Sequence, residues 1–430
     1  MPMNRKITVP EAMLPRGVKD FLPNKAAKLE YLKQSLKDVF HRWAFRPIMP
    51  PTLEYLDVLE RGLGAGLRDK TFRFDDRQNG KLVAFCPDIT PQVARIVATR
   101  MKGAPLPQRL CYNGKVLRHT EQQAGKDREI IQSGVELIGL QGPEADAEMI
   151  AMAIECLQSL GATEFTVDIG QVEFFHGVMD GLNLPAPQAL AVQQAIARKD
   201  ASGLSELLSE LSLDDRKYAE VMALPRLFGG REVLDRAADI VVNDRSRRAL
   251  ENLRQILAVL EAYGVEEHVT FDLGELRGLG YHTGVTFQGF LSGMGTAVCS
   301  GGRYDTLTAR YGMDAPATGF AFNLLNLLMA LDRTLESAAV QPFDVMILQS
   351  GPDKRAAQSL ARALRDQGYA CARDIIERSL QDSLDYGRKM HFRHVMVVAD
   401  QAGDVRLIRL ADGSEQTISL QAVLAGEFRL

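Results

Sequence analysis

The sequence predicts an α+β fold: a mostly antiparallel sheet with flanking helices, a helical insertion within it, and a small C-terminal α/β domain. Three observations predict this. Strand-like apolar runs recur through the first 335 or so residues, with long or hairpin-like connections and no regular strand–helix alternation. Between about Leu182 and Tyr263 alternation gives way to helical spacing. After about Leu335 the order becomes strand, helix, strand, helix, strand. The expected boundaries are 1–335 for the first domain, with the insertion at about 182–263, and 343–430 for the second.

Each element follows from its residues. Leu29, Leu32, Leu36, Val39 and Phe40 recur at helical spacing and predict a helix over Lys25–Trp43. The prolines at 47, 50 and 51 then enforce extended chain. Strands are expected at Thr71–Phe74, Leu82–Phe85, Arg109–Tyr112 and Gly134–Ile138. Further strands are expected at Val167–Ile169, Val269–Leu273, Val285–Phe290 and Thr296–Cys299, with a helix at Ala145–Ser159. In the insertion, Leu204, Leu207, Leu208 and Leu211, then Leu250, Leu253, Ile256, Leu257 and Leu260, mark helices. Past a linker at Pro342, strands are expected at Asp344–Leu348, Ala370–Arg373, His394–Ala399 and Val405–Leu410. The intervening helices are Lys354–Gln367, stopped by Gly368, and Leu380–Met390.

Composition narrows the function classes. The chain has 430 residues, 46% hydrophobic and 25% charged, ordinary for a globular protein of two or three domains. The start, MPMNRKITVPEAMLPRGVKD, lacks an apolar h-region, and no apolar run reaches the roughly 18 residues of a membrane span. Neither a secretory signal nor a membrane segment is expected. The five cysteines, 86, 111, 156, 299 and 371, are scattered and form no CxxC pair, which favours reduced thiols in a cytoplasmic protein and no metal centre. A net charge of −4 gives no electrostatic footprint for nucleic acid. The glycine-rich segments Gly62–Gly66 and Ser300–Gly302 fit no phosphate-loop pattern, and the cluster Arg245, Arg247, Arg248 is of the kind that forms a solvated helix face.

The segment Arg118–Gly139, RHTEQQAGKDREIIQSGVELIG, resembles the second signature motif of histidyl-tRNA synthetases. Arg118, Gly125, Arg128, Gln132, Gly134 and Glu136 match, but Thr120, Glu121 and Gln122 replace an acid, a base and a proline. Other segments resemble the same family in order: LPRGVKDFLP (14–23), Pro51 with Glu54, CPDITPQVAR (86–95), LRGLGYHTGVTF (276–287), SGGRYDTL (300–307) and ATGFAF (317–322). Ordered matches over about 310 residues are specific where one alone is weak.

The resemblance implies a class II synthetase-like fold and a pocket for free L-histidine. It assigns Asp88, Thr90 and Gln132 to the ammonium, Arg277 to the carboxylate, Glu136 to the imidazole, and Tyr281 to a wall of the pocket. Burial demands such complements, because an unpaired charge or polar group is costly once water is removed. An isolated Gln132–Glu136 pair on one strand face would ordinarily be solvated; six such residues in order point instead to a pocket. Asp88 replaces a glutamate, Gly280 an aspartate and His282 a second tyrosine of the family pattern. Class II synthetases clamp ATP with two arginines. Arg118 matches the first, but Asn326 stands at the second and Thr120 at the motif-two acid, leaving a vestigial ATP site.

A kept amino-acid pocket with lost activation chemistry resembles the regulatory subunits of ATP phosphoribosyltransferase. This resemblance implies a non-catalytic chain without cofactor that assembles on a homodimer core with a short catalytic subunit, commonly as a hetero-octamer. Histidine would act as its feedback effector. Many members of that family lack the C-terminal domain kept here, which resembles an anticodon-binding domain. From Gln341 to Leu430 there are twelve basic and twelve acidic residues, no basic face for tRNA. Two other readings share the resemblance: an active histidyl-tRNA synthetase, and a free-standing histidine- or tRNA-sensing paralogue.

Overall fold

A computed structural model describes residues 14–119, 127–211, 213–274, 280–338, 341–349, 354–376, 378–398 and 403–430. They fall into two compact units divided between Ser337 and Ala338.

The strands of the first unit are β1 (Arg46–Pro47), β2 (Leu53–Tyr55), β3 (Arg73–Asp75), β4 (Leu82–Phe85), β5 (Gln108–Leu117) and β6 (Glu129–Ile138). They continue as β7 (Phe165–Gln171), β8 (Phe228–Gly229), β9 (Val269–Asp272), β10 (Val285–Leu291), β11 (Cys299–Arg303) and β12 (Ala317–Asn323). Nine of them form one sheet in the order β1-β5-β6-β12-β11-β10-β7-β9-β8. Among the described strands of this sheet, only β1–β5 and β7–β9 pair in parallel. A separate small sheet has the order β2-β4-β3.

One face of the large sheet packs on helices. Pro143–Ser159 lies against β10, β11 and β12, and Pro23–Arg42 against β5 and β6. Leu32, Leu36 and Val39 of the latter helix are fully buried, which the spacing of its apolar residues requires. The ammonium of Lys28, on the same helix, bonds Asp332 Oδ1 at 2.8 Å and Glu336 Oε1 at 2.9 Å.

The opposite face carries the site. Strand alternation puts Gln132, Gly134, Glu136 and Ile138 of β6 on it, beside Leu110, Tyr112 and Val116 of β5. The helix Thr90–Arg100 lies over this face through Val93, Ala94 and Val97. Register matters most at two glycines. Gly134 pairs with Tyr112, and a Cβ there would sit 2.5 Å from Phe320 O and 2.8 Å from the Tyr112 hydroxyl. Gly319 of β12 pairs with Glu136, and a Cβ there would sit 2.1 Å from Glu136 Oε2.

The insertion contains the helices Ala186–Ala197, Ala201–Ser209, Asp215–Ala223, Glu232–Ile240 and Asp244–Tyr263. It is not wholly helical, as the sequence had suggested: β8 leaves it to extend the sheet edge beside β9. The strand expected at Thr296–Cys299 is displaced to Cys299–Arg303, because Gly301 and Gly302 run between β10 and β12 where side chains would collide with Phe287, Phe320 and backbone. Arg245 does not face solvent freely. It pairs with Glu173 at 2.7 Å and also with Asp180.

In the second unit β13 (Phe343–Gln349), β14 (Cys371–Arg373), β15 (Phe392–Val398), β16 (Asp404–Arg409) and β17 (Glu415–Ser419) form a mixed sheet ordered β14-β13-β15-β16-β17. The helix Arg355–Asp366 buries Ala357, Leu360, Ala361 and Leu364 at helical spacing against Val345, Ile347, Met396 and Val398. β17 and the short helix Leu420–Leu424 add to the elements read from sequence.

Candidate functional site

The centre of the site is a hydrogen-bonded cluster between the Thr90–Arg100 helix and the sheet. Asp88 sits two residues before the helix, whose N-terminal dipole favours anions there. Its Oδ1 accepts from Gln132 Nε2 at 3.1 Å, and its Oδ2 from the Tyr281 hydroxyl at 2.7 Å. Arg118 Nη2 stands 3.7 Å from Asp88 Oδ1, and Arg118 Nε donates to Pro87 O at 2.7 Å. Gln132 Oε1 accepts from the backbone N–H of Ile89 at 3.3 Å, so both ends of this amide are used to fix the Asp88 turn.

Glu136 lies deeper, 1% exposed. Thr90 Oγ1 donates to its Oε1 at 2.6 Å and the Tyr112 hydroxyl to the same oxygen at 3.1 Å; the Tyr304 hydroxyl donates to Oε2. Burial pushes the Glu136 carboxyl up to about 8; the charge of Asp88 adds to this, while the hydroxyls of Thr90, Tyr304 and Tyr112 oppose it. Burial likewise pushes Tyr112, Tyr281 and Tyr304 well above the usual phenol range, so all three remain donors.

Above the cluster opens a cavity of ≈ 570 Å³. Asp88, Thr90, Gln132, Tyr281, His282, Tyr304, Arg118 and Asn326 all line it. Glu136 does not; it stands behind Thr90, Tyr304 and Gly319, which do. The Nδ1 of His282 is shut off from solvent with no hydrogen-bond partner among the described residues, and burial pushes this imidazole down to about 4. It is therefore neutral at physiological pH. Asn326, in the first turn of the helix Leu324–Leu331, donates to Ala297 O at 2.7 Å, and the helix is capped by Asn323, which accepts from Leu325 N at 3.0 Å. Arg118 is the one arginine or lysine among the described residues lining the cavity. Cluster and cavity together can accept a cation at Asp88, accept an anion at Arg118, and offer hydroxyls between them.

The structure thus brings together Asp88, Thr90, Gln132, Glu136, Tyr281, His282, Arg118 and Asn326. Arg277 and Thr120 lie outside the described residues. Sequence reasoning gave no role to Tyr112 or Tyr304. Tyr304 lies within SGGRYDTL and could have been found there; Tyr112 carries no local signal and is placed only by the β5–β6 register.

This fold and this site define a class II synthetase-like protein, and comparison with known proteins agrees. Residues 17–327 match the family model for histidyl-tRNA synthetase. A solved structure described as an ATP phosphoribosyltransferase regulatory subunit/histidyl-tRNA synthetase from Bacillus halodurans aligns with a TM-score of 0.81 at 30% identity, over 90% of this chain and 98% of that one. A histidyl-tRNA synthetase from Nostoc aligns at 0.79 but only 19% identity, over 98% of this chain and 100% of that one, and shows the fold alone. The ATP phosphoribosyltransferase regulatory subunit of Geobacter sulfurreducens is 55% identical over 99% of this chain and 98% of its own length. That of Acetivibrio thermocellus is 33% identical over 95% and 98%. The chain belongs to the family of ATP phosphoribosyltransferase regulatory subunits.

Proposed function

We propose that this chain is the non-catalytic regulatory subunit of an ATP phosphoribosyltransferase acting in the cytoplasm at the first step of histidine biosynthesis, and that its polar cavity holds free L-histidine as feedback effector. The observation that carries the reading is one cavity that offers Asp88 to a cation and Arg118 to an anion, but a neutral Asn326, tied to Ala297, where phosphate chemistry needs a second cation. A zwitterion matches such a cavity in charge. The ammonium takes Asp88, with Thr90 and Gln132 beside it. The carboxylate takes Arg118, with Arg277 as the resemblance implies. The imidazole takes the hydroxyls of Thr90 and Tyr304, with Glu136 behind them and the His282 ring at the cavity wall. Triphosphate activation has one clamp left, which removes several kcal/mol of the charge stabilisation such chemistry draws on.

The proposed partner is a short-form catalytic subunit, in a hetero-octamer built on a homodimer of this chain. The homodimer face is the small sheet: beside Pro51 and Glu54 it carries a hollow of ≈ 700 Å³ with Leu53, Tyr55 and Phe74 exposed at its lining and Leu82 on the same sheet. Glu54 is fixed beneath by two 3.0 Å contacts to Arg95 Nε. No described helix is long and apolar enough to cross a membrane.

Calorimetric titration of L-histidine into the full chain tests the site. We expect saturable binding that Asp88→Asn weakens at least tenfold, since losing a charged partner typically costs about 2–5 kcal/mol. Histidine-dependent ATP–pyrophosphate exchange should stay at background. Exchange clearly above it would return the chain to the synthetases.

A further inference from the structure

Two buried carboxylates, Asp88 and Glu136, each sit in a hydrogen-bonded set, and the two sets meet where the Tyr281 and Tyr304 rings touch. Asp88 has Arg118 within ion-pair range, whereas among the described residues Glu136 is met only by hydroxyls. We propose that entry of an amino-acid ammonium into the cavity expels the proton of Glu136, so that effector binding and proton release are one event. This deepens the reading of the cavity as a histidine site and rests on it.

The direction follows from what binding can still change. Glu136 is already 1% exposed without ligand, so a ligand adds almost no desolvation. What a ligand adds is a positive charge beside Asp88 and Thr90, and a nearby cation favours the ionised carboxylate. It also cancels the field of Asp88, which together with burial keeps the proton on Glu136 in the empty site. Donors for the resulting anion are in place. Tyr112 faces Glu136 from β5, Thr90 from the helix start and Tyr304 from the segment after β11; β12 presents only Gly319. Tyr281 stands beside Tyr304, its ring centre 5.9 Å away, and donates to Asp88. Arg118 lies beyond Asp88, and His282, its ring tilted against Tyr281, takes up no proton near neutrality. The step balances as Glu136–COOH giving Glu136–COO⁻ and one proton taken by buffer, passed through the hydroxyls of Thr90 and Tyr304 that line the cavity.

The experiment is calorimetric titration of L-histidine into the full chain in buffers of contrasting ionisation enthalpy. At about pH 7 the apparent enthalpy should depend on the buffer with a slope near one proton released per histidine. The slope should fall steeply towards about pH 9, where Glu136 is ionised before binding. Whatever histidine binding Glu136→Gln retains should show no buffer dependence. Tyr304→Phe, which removes a hydroxyl that favours the anion, should move the release to higher pH and serves where Glu136→Gln fails to fold. Binding without proton release in the wild type, or an unchanged slope in Glu136→Gln, overturns this inference alone. Absence of binding in every buffer overturns the histidine site as well.

Discussion

Glu136 is the residue at which burial, charge and fold meet most sharply. Its carboxyl is held up at about 8, against an ordinary value of 4.5. Between these values the folded chain binds more protons at Glu136 than the unfolded chain does, so this residue lowers stability as pH rises through that window and adds no further slope above it. Replacement by glutamine removes the effect. The stability of Glu136→Gln relative to wild type should therefore climb between about pH 4.5 and 8, by on the order of a few kcal/mol, in urea unfolding without ligand. A difference independent of pH would contradict it. His282 has the opposite sign: pushed down to about 4, it costs stability as pH falls from about 6.5. The motifs made Asp88, Gln132 and Tyr281 legible as site residues, because their order along the chain is specific. Depth was not legible. That Glu136 sits behind two hydroxyls follows from register and from the bulk of Tyr304, which no spacing rule reports.

Among the elements, the pairing of β6 with β12 sets the site. Gly319 opposite Glu136 leaves room for the carboxylate, and a methyl group there would meet Glu136 Oε2 and Val135 O. Gly319→Ala should cost about 1–3 kcal/mol by overpacking and weaken histidine binding alongside, read from urea midpoints and calorimetry on the same protein. Asn323→Ala, which uncaps the helix carrying Asn326, should cost about 1 kcal/mol. Val285–Leu291, with clear alternation, was legible to within a residue, but the ten-residue strands β5 and β6 were read only over Arg109–Tyr112 and Gly134–Ile138. β2 and β12 were not expected as strands, and β8, β11 and β17 carry a physical reason for being missed or displaced. β8 has two residues and hence no period; β11 is half glycine and serine; β17 is a polar edge strand with little apolar signal.

At the scale of the whole molecule, the described residues form two compact units, each with its own packed interior. The second unit packs its own cluster around Val345, Leu360, Met396 and Val405. Every described site residue lies in the first unit, before Ser337. Deletion of Gln341–Leu430 should therefore leave histidine affinity within about threefold of the full chain, while heat or urea unfolding loses one transition. Loss of binding on deletion would show that the tail completes the site. With twelve basic and twelve acidic residues the tail has no net charge to drive counterion release, so filter binding of tRNA should be weak and indifferent to its removal.

We propose that histidine in this cavity acts on another chain. Regulation of that kind requires the effector to bind the active and inhibited assemblies with different affinity. The most direct measurement is phosphoribosyltransferase activity of a short catalytic subunit mixed with this chain, titrated with L-histidine, for wild type and Asp88→Asn. Wild type should raise activity and confer histidine inhibition, whereas Asp88→Asn should still raise activity but shift inhibition to at least tenfold higher histidine. Activity indifferent to this chain, or histidine inhibition unmoved by Asp88→Asn, would contradict it.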